Sequence, residues 1–299
     1  MRSTPVIAVI ATALALGLAG CGAGGAPAPS GAADADTAPP STAPSDAESS
    51  GTSLEELGHI HAIDSTASGE ILLASHHGLY RLDDTGGLDG PVGGDDFDGM
   101  GFTVVGSTLF ASGHPGSHTP AELGSPNLGI IRSDDGGQSW SPVSLTSEAD
   151  FHVLTASPDG TLHGIATRSP EVLSSTDAGV SWTTGSQLEA VDMAATDRRL
   201  FAATERGLQV SEDGGASFAT LEGAPLLYAV EVLADGSLVG VDTNGAVQRQ
   251  TPDGWEQLGA VVGAAGAFGV VGDDRILAVD DRGIVDLTED EAVVLTPFG

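Results

Sequence analysis

The sequence predicts an all-β chain: a six-bladed β-propeller of four-stranded antiparallel blades, preceded by a signal peptide and a disordered linker. Three observations predict it. Short apolar runs alternate with a period of two and are separated by Asp-Gly, Gly-Gly and Asn-Gly turns, with no 3.6-residue stripe. Six of these runs align, ILLASHHGLYR, LFASGHPG, LHGIATRS, LFAATERGLQVS, LVGVDTNGAVQ and ILAVDDRGIVD, starting at residues 71, 109, 162, 200, 238 and 276, so the steps are 38, 53, 38, 38 and 38. A turn motif, Ser/Thr-x-Asp-x-Gly-x-Ser/Thr-aromatic, then recurs three times in the same frame. Units of this length have room for four short strands each, which is the repeat of a propeller and longer than the usual β-solenoid unit.

From the N-terminus, the elements are as follows. Residues 1–20 read as a signal peptide: Arg2 is a short positive region and Val6 to Ala19 is apolar but too short to span a bilayer. LAGC, Leu18 to Cys21, closes it and resembles the lipobox of bacterial lipoproteins. That resemblance implies cleavage before Cys21, lipidation of its sulfur and a membrane anchor, since each buried methylene contributes about 0.8 kcal/mol. Cys21 is also the only cysteine, so no internal disulfide forms. Residues 22–53 are Gly, Ala, Pro, Ser, Thr, Asp and Glu only, and with nothing to bury they read as a flexible linker reaching roughly 30 Å. The expected product is exported, lipid-anchored at the cell membrane and facing the extracytoplasmic side, with the propeller over 54–299. The chain reads as a monomer.

Ten basic residues, all arginine, stand against 42 acidic ones, a net charge of -32. Phosphate-rich surfaces repel such a body, which excludes nucleic acid as a partner and favours cations. The one long step in the repeat is localised by Gly129 to Asp135 matching Gly207 to Asp213, an offset of 78, while the preceding strands are 91 apart (109 to 200). The difference of 13 residues falls after His114, in GHPGSHTPAELGSPN.

The three turn motifs are SDDGGQSW (133–140), STDAGVSW (175–182) and SEDGGASF (211–218), with degenerate versions around Asp84 and Asp253. They resemble the Asp-box, or BNR repeat, of sialidases, sortilin-type receptors and the glycosyl hydrolase-like BNR-repeat lipoproteins of bacteria. The resemblance implies that each box forms the hairpin between a blade's third and fourth strands, with the Asp accepting backbone N–H bonds and the aromatic packing between blades. Asp135, Asp177, Asp213, Trp140, Trp182 and Phe218 are therefore expected to be structural.

Eight histidines remain, four of them in HIHAIDSTASGEILLASHHGLY. In an up-and-down blade the start of the first strand and the end of the second share one face of the disc. His59 and His61 open a first strand; His76, His77 and His114 end second strands; His118 follows in the insertion and His152 begins a first strand. Seven histidines thus map to one rim, and His163 maps to the other. Imidazoles joined there by Met100 and Asp150 suit a soft or borderline ion, copper first and zinc second. His59, His61, His76 and His114 are the primary candidate ligands, with His77, His152 and Met100 secondary. The same side chains would also serve as hydrogen-bond donors to carbonyls at strand ends.

Two further functions stay open. A glycan-directed, sialidase-like hydrolase would use Arg168, Arg206 and Arg282, which occupy one repeat position in three blades, with Tyr228 as nucleophile and Glu231 nearby, since Tyr80 falls in a third strand away from the axis; Glu205 and Asp150 are further ligand-binding candidates on the histidine-bearing rim. The Arg-Ile-Pro signature of sialidases is absent. A protein-interaction platform would use the insertion. The ligand is accordingly a metal ion, a glycan or a protein, and turn chemistry alone does not choose among them.

Overall fold

The computed structural model describes residues 51–272, 274–289 and 291–299; the leader, Cys21 and nearly all of the linker lie outside them. Among the described residues 24 strands form six antiparallel four-stranded sheets, each built from four consecutive strands. The blades run over 60–89, 98–144, 151–187, 190–220, 227–260 and 267–297. The repeat read from the sequence marks the second strand of each blade, for example Ile71–Ser75, Leu162–Ala166, Leu200–Thr204 and Leu238–Asp242.

Second strands are apolar on both faces because a neighbouring blade covers each side. Ile71 and Leu73 pack with Leu277, Val279 and Ile284 of blade 6, whereas Leu72 and Ala74 pack with Phe102 and Leu109 of blade 2. Alternation along a strand therefore distributes side chains between two cores, and burying each leucine contributes roughly 2–3 kcal/mol. Fourth strands such as Thr183–Gln187 lie at the periphery and are largely polar.

The three motif turns join third to fourth strands with one shared geometry. Ser133 Oγ donates to Asp135 Oδ1 at 2.8 Å and accepts from Gly137 N at 2.9 Å, and the other Asp135 oxygen takes Ser139 Oγ at 2.6 Å. Asp177 and Asp213 repeat this with Ser181 and Ser217. The serine hydroxyls and N–H groups hold all three carboxyls down at about 2. Trp140 meets Phe97 edge-on at 5.2 Å, Trp182 stacks on Phe151 at 5.1 Å, and Phe218 packs against the core between blades 3 and 4.

The ring closes without a shared strand. Val293–Pro297 is the outermost strand of blade 6 itself. Leu54–Leu57 forms a short helical turn whose two leucines fill the core between blades 6 and 1, with Leu295 beside them. Gly272 N to Ser65 Oγ at 3.0 Å and Thr296 Oγ1 to Gly86 O at 2.7 Å pin the same junction.

Candidate metal centre

The innermost strands line the axis, and five of them are interrupted at the same place. Register slips between Ile60 and Ala62, Gly99 and Gly101, Phe151 and Val153, Ala190 and Asp192, and Leu227 and Ala229. The bulged residues are His61, Met100, His152, Val191 and Tyr228. A bulge turns its extra side chain out of the regular alternation, and here it brings His61, Met100 and His152 of three successive blades to the wall of an axial cavity of about 560 Å³. Gly101 permits this on blade 2, because a Cβ there would collide with the Phe151 carbonyl of blade 3.

The rim histidines gather into two groups. In the first, His61 Nε2 lies 3.3 Å and His76 Nε2 3.9 Å from Asp98 Oδ1, and the three ligand atoms fall within 4.8 Å of one another. His76 is stacked on His59 at 5.2 Å and tilted against His61 at 4.6 Å. Burial holds the His76 imidazole below its ordinary value; the Asp98 charge opposes this, while His61, His59 and His77 add to it. A neutral ring presents a lone pair. His61 Nε2 and Asp98 Oδ1 are buried and have no hydrogen-bond partner.

The second group lies one blade further on. His114 Nε2 is 3.3 Å and His152 Nε2 2.8 Å from Asp150 Oδ2. Asp150 is 4% exposed, and its other oxygen, Oδ1, has no partner.

The remaining sequence candidates are placed apart from these groups. His77 Nδ1 meets Glu56 O at 2.8 Å, and His118 pairs with Asp96 at 2.9 Å within the insertion. His163 is buried between Ser157 and Ser174. Met100 lines the cavity between the two groups and belongs to neither triad. The arginine row does not converge: Arg168 is exposed, Arg206 and Glu205 line a separate cleft with Gln187, and Arg282 is held by Asp280 at 2.6 Å. Equal repeat position puts each arginine at the turn of its own blade, and the ring fans those turns apart. Tyr80 is buried with its hydroxyl on His77 O, and Tyr228 OH accepts from Ala265 N.

Three acids of the candidate site fall outside the sequence candidates. Asp98 is one. The others, Asp64 and Asp192, line the axial cavity together with Glu231, and among the described residues no arginine accompanies them. Burial pushes Asp64 and Asp192 up to about 7, against the N–H bonds from Val104 and Ser65 to Asp64 and from Val230 and Met193 to Asp192. Glu231 is raised well above the usual range by burial and then by the charges of Asp192 and Asp64. The signal was an acid inside a first strand, seven residues before the repeat start for Asp64 and Glu231 and eight for Asp192, in AIDS, AVEV and AVDM.

No protein-family model and no curated protein matches this sequence. Solved structures do match. YCF48 bound to D1 peptide is 14% identical, with 78% of this chain and 80% of that one covered and a TM-score of 0.50. A gluconolactonase of Xanthomonas campestris is 12% identical over 76% and 84%, with a TM-score of 0.56. The GH74 enzyme of Niastella koreensis is 15% identical over 74% of this chain, which spans 40% of that enzyme's length, with a TM-score of 0.52. At these identities the likeness is one of fold, and the chain is a six-bladed β-propeller.

Proposed function

We propose that this protein is an exported propeller of the Asp-box type, tethered to the membrane through lipid on Cys21, whose histidine-rich rim binds a transition metal ion. One observation carries the reading. His61 Nε2 and Asp98 Oδ1 face each other, buried and unpaired, with His76 Nε2 beside them. Each orphaned buried polar atom costs about 1–3 kcal/mol, and an ion held between them would satisfy both. Two imidazoles and a carboxylate suit borderline divalent ions. Affinity order favours copper, with zinc next. Three protein ligands leave a coordination position open, so the ion would stay exchangeable or accept a small ligand. The surrounding net charge of -32 raises the local concentration of cations.

The test is metal retention by the purified full-length protein after loading with copper(II) or zinc(II) and gel filtration. His61→Ala/His76→Ala should remove at least one equivalent of bound ion while leaving the melting temperature of the metal-free protein near wild type. Retention unchanged in that variant, or no retention by wild type, would overturn the reading.

A further inference from the structure

We infer that a second ion binds at the junction of blades 2 and 3, held by His114, Asp150 and His152 and separate from the first. This rests on the metal-binding reading above and extends it to a site with its own supporting shell. The tautomer of His114 carries the inference. Its Nδ1 lies 3.2 Å from the Pro126 carbonyl, which only accepts, so Nδ1 holds the ring proton and donates it there. In the neutral ring Nε2 then presents a lone pair toward Asp150 Oδ2 at 3.3 Å. Two acceptors at that distance need a cation between them: either a second proton on the imidazole or a metal ion.

Asp150 points to the same conclusion. Its side chain is 5% exposed, yet Oδ1 has no partner. A buried oxygen without a donor calls for a missing group. His152 Nε2, at 2.8 Å from Oδ2, completes a donor set of two imidazole nitrogens and a carboxylate. A histidine whose second nitrogen is fixed by a backbone carbonyl is the usual support for a metal ligand.

This assignment also gives the 13-residue insertion a role. Pro126 belongs to it, and Asp96 anchors it by accepting from His118 N at 2.7 Å and from Ser117 Oγ at 2.8 Å. Blade 2 alone carries the insertion, and the insertion supplies the carbonyl that orients His114. The probes are zinc(II) and copper(II) as simple salts, and binding should weaken in acid, where imidazoles take up a second proton.

The experiment compares ion stoichiometry in wild type, His61→Ala/His76→Ala, His114→Ala/His152→Ala and Asp150→Asn, with melting temperatures recorded with and without zinc(II). The inference expects two ions per chain in wild type, and one in each double variant. Asp150→Asn guards against misfolding: it keeps the shape of the side chain and should lose one ion and part of the zinc-induced rise in melting temperature. One ion in wild type, unaffected by His114→Ala/His152→Ala and by Asp150→Asn, would overturn the second site and leave the proposed function standing. Loss of all ions in wild type would overturn both.

Discussion

Raising the pH from 5.5 to 8 should destabilise this propeller, because it forces charge onto the axial carboxyls. Asp64 and Asp192 stand at about 7 against an ordinary 3.8, and Glu231 is raised as well. A carboxyl whose folded value exceeds its unfolded one binds more protons folded than unfolded between the two values. Stability therefore declines as the pH rises through that window. Only the stretch from pH 5.5 to 7 lies inside the window, which for an unscreened aspartate amounts to about 2 kcal/mol; water in the cavity reduces this to about 1 kcal/mol each. Together the two aspartates account for about 2 kcal/mol, or roughly 5 °C in melting temperature for a domain of this size. The motif aspartates, held at about 2, do not titrate in the window and act in the opposite sense only in strong acid. Thermal melts of metal-free protein at constant ionic strength, in wild type and in Asp64→Asn/Asp192→Asn, measure the effect. The double variant should melt lower at pH 5.5, having lost an acceptor for a backbone N–H, and show less than half the pH slope. A wild-type melting temperature that is flat or rising between pH 5.5 and 8 would refute the reasoning.

Two stability predictions follow from the core. Trp140→Ala should cost about 3–5 kcal/mol as a buried aromatic deletion, seen as a fall in denaturant midpoint, because Trp140 fills the space between blades 1 and 2 against Phe97. Leu57→Ala should cost about 2–5 kcal/mol and make the chain more readily cut by protease near its ring junction, since Leu57 is fully buried where blade 6 meets blade 1; unaltered cleavage would show that the turn plays no part in closure.

The frame of the fold was legible because it is written locally. A second strand buried on both faces must be apolar at nearly every position, and LLA, FAA and LVGV recur at the spacing of one blade. The motif turns were legible because one carboxylate and one hydroxyl close each loop within a few residues. The meander also places the rim histidines on one face. Their division into two triads was not legible, because it depends on single-residue bulges that re-aim His61 and His152 and leave no mark in spacing. Asp98 was missed because it stands at the start of a first strand, DGMGF, and joins the first triad only through histidines of the neighbouring blade. Arg168, Arg206 and Arg282 share a repeat position yet have separate surroundings, because each stands at the turn of its own blade. How the ring closes also depended on long-range packing, with Leu54, Leu57 and Leu295 brought together from opposite ends of the domain.

Both triads straddle a junction. His61 and His76 come from blade 1 and meet Asp98 of blade 2, while His114 comes from blade 2 and meets Asp150 and His152 of blade 3. Neighbouring blades share no hydrogen-bonded sheet, so they are held together by side-chain cores and isolated contacts such as Val104 N to Asp64. An ion at either triad would add a bond across that seam, and its binding free energy would appear as resistance of two blades to separation. The bulge row reinforces the point. Blades 4 and 5 carry Val191 and Tyr228 where blades 1 to 3 carry His61, Met100 and His152, so one backbone device recurs around the ring and only in the first three blades presents imidazole or thioether groups to the axial cavity. Stability in this propeller resides between the blades, and that leaves its inner rim free to carry chemistry.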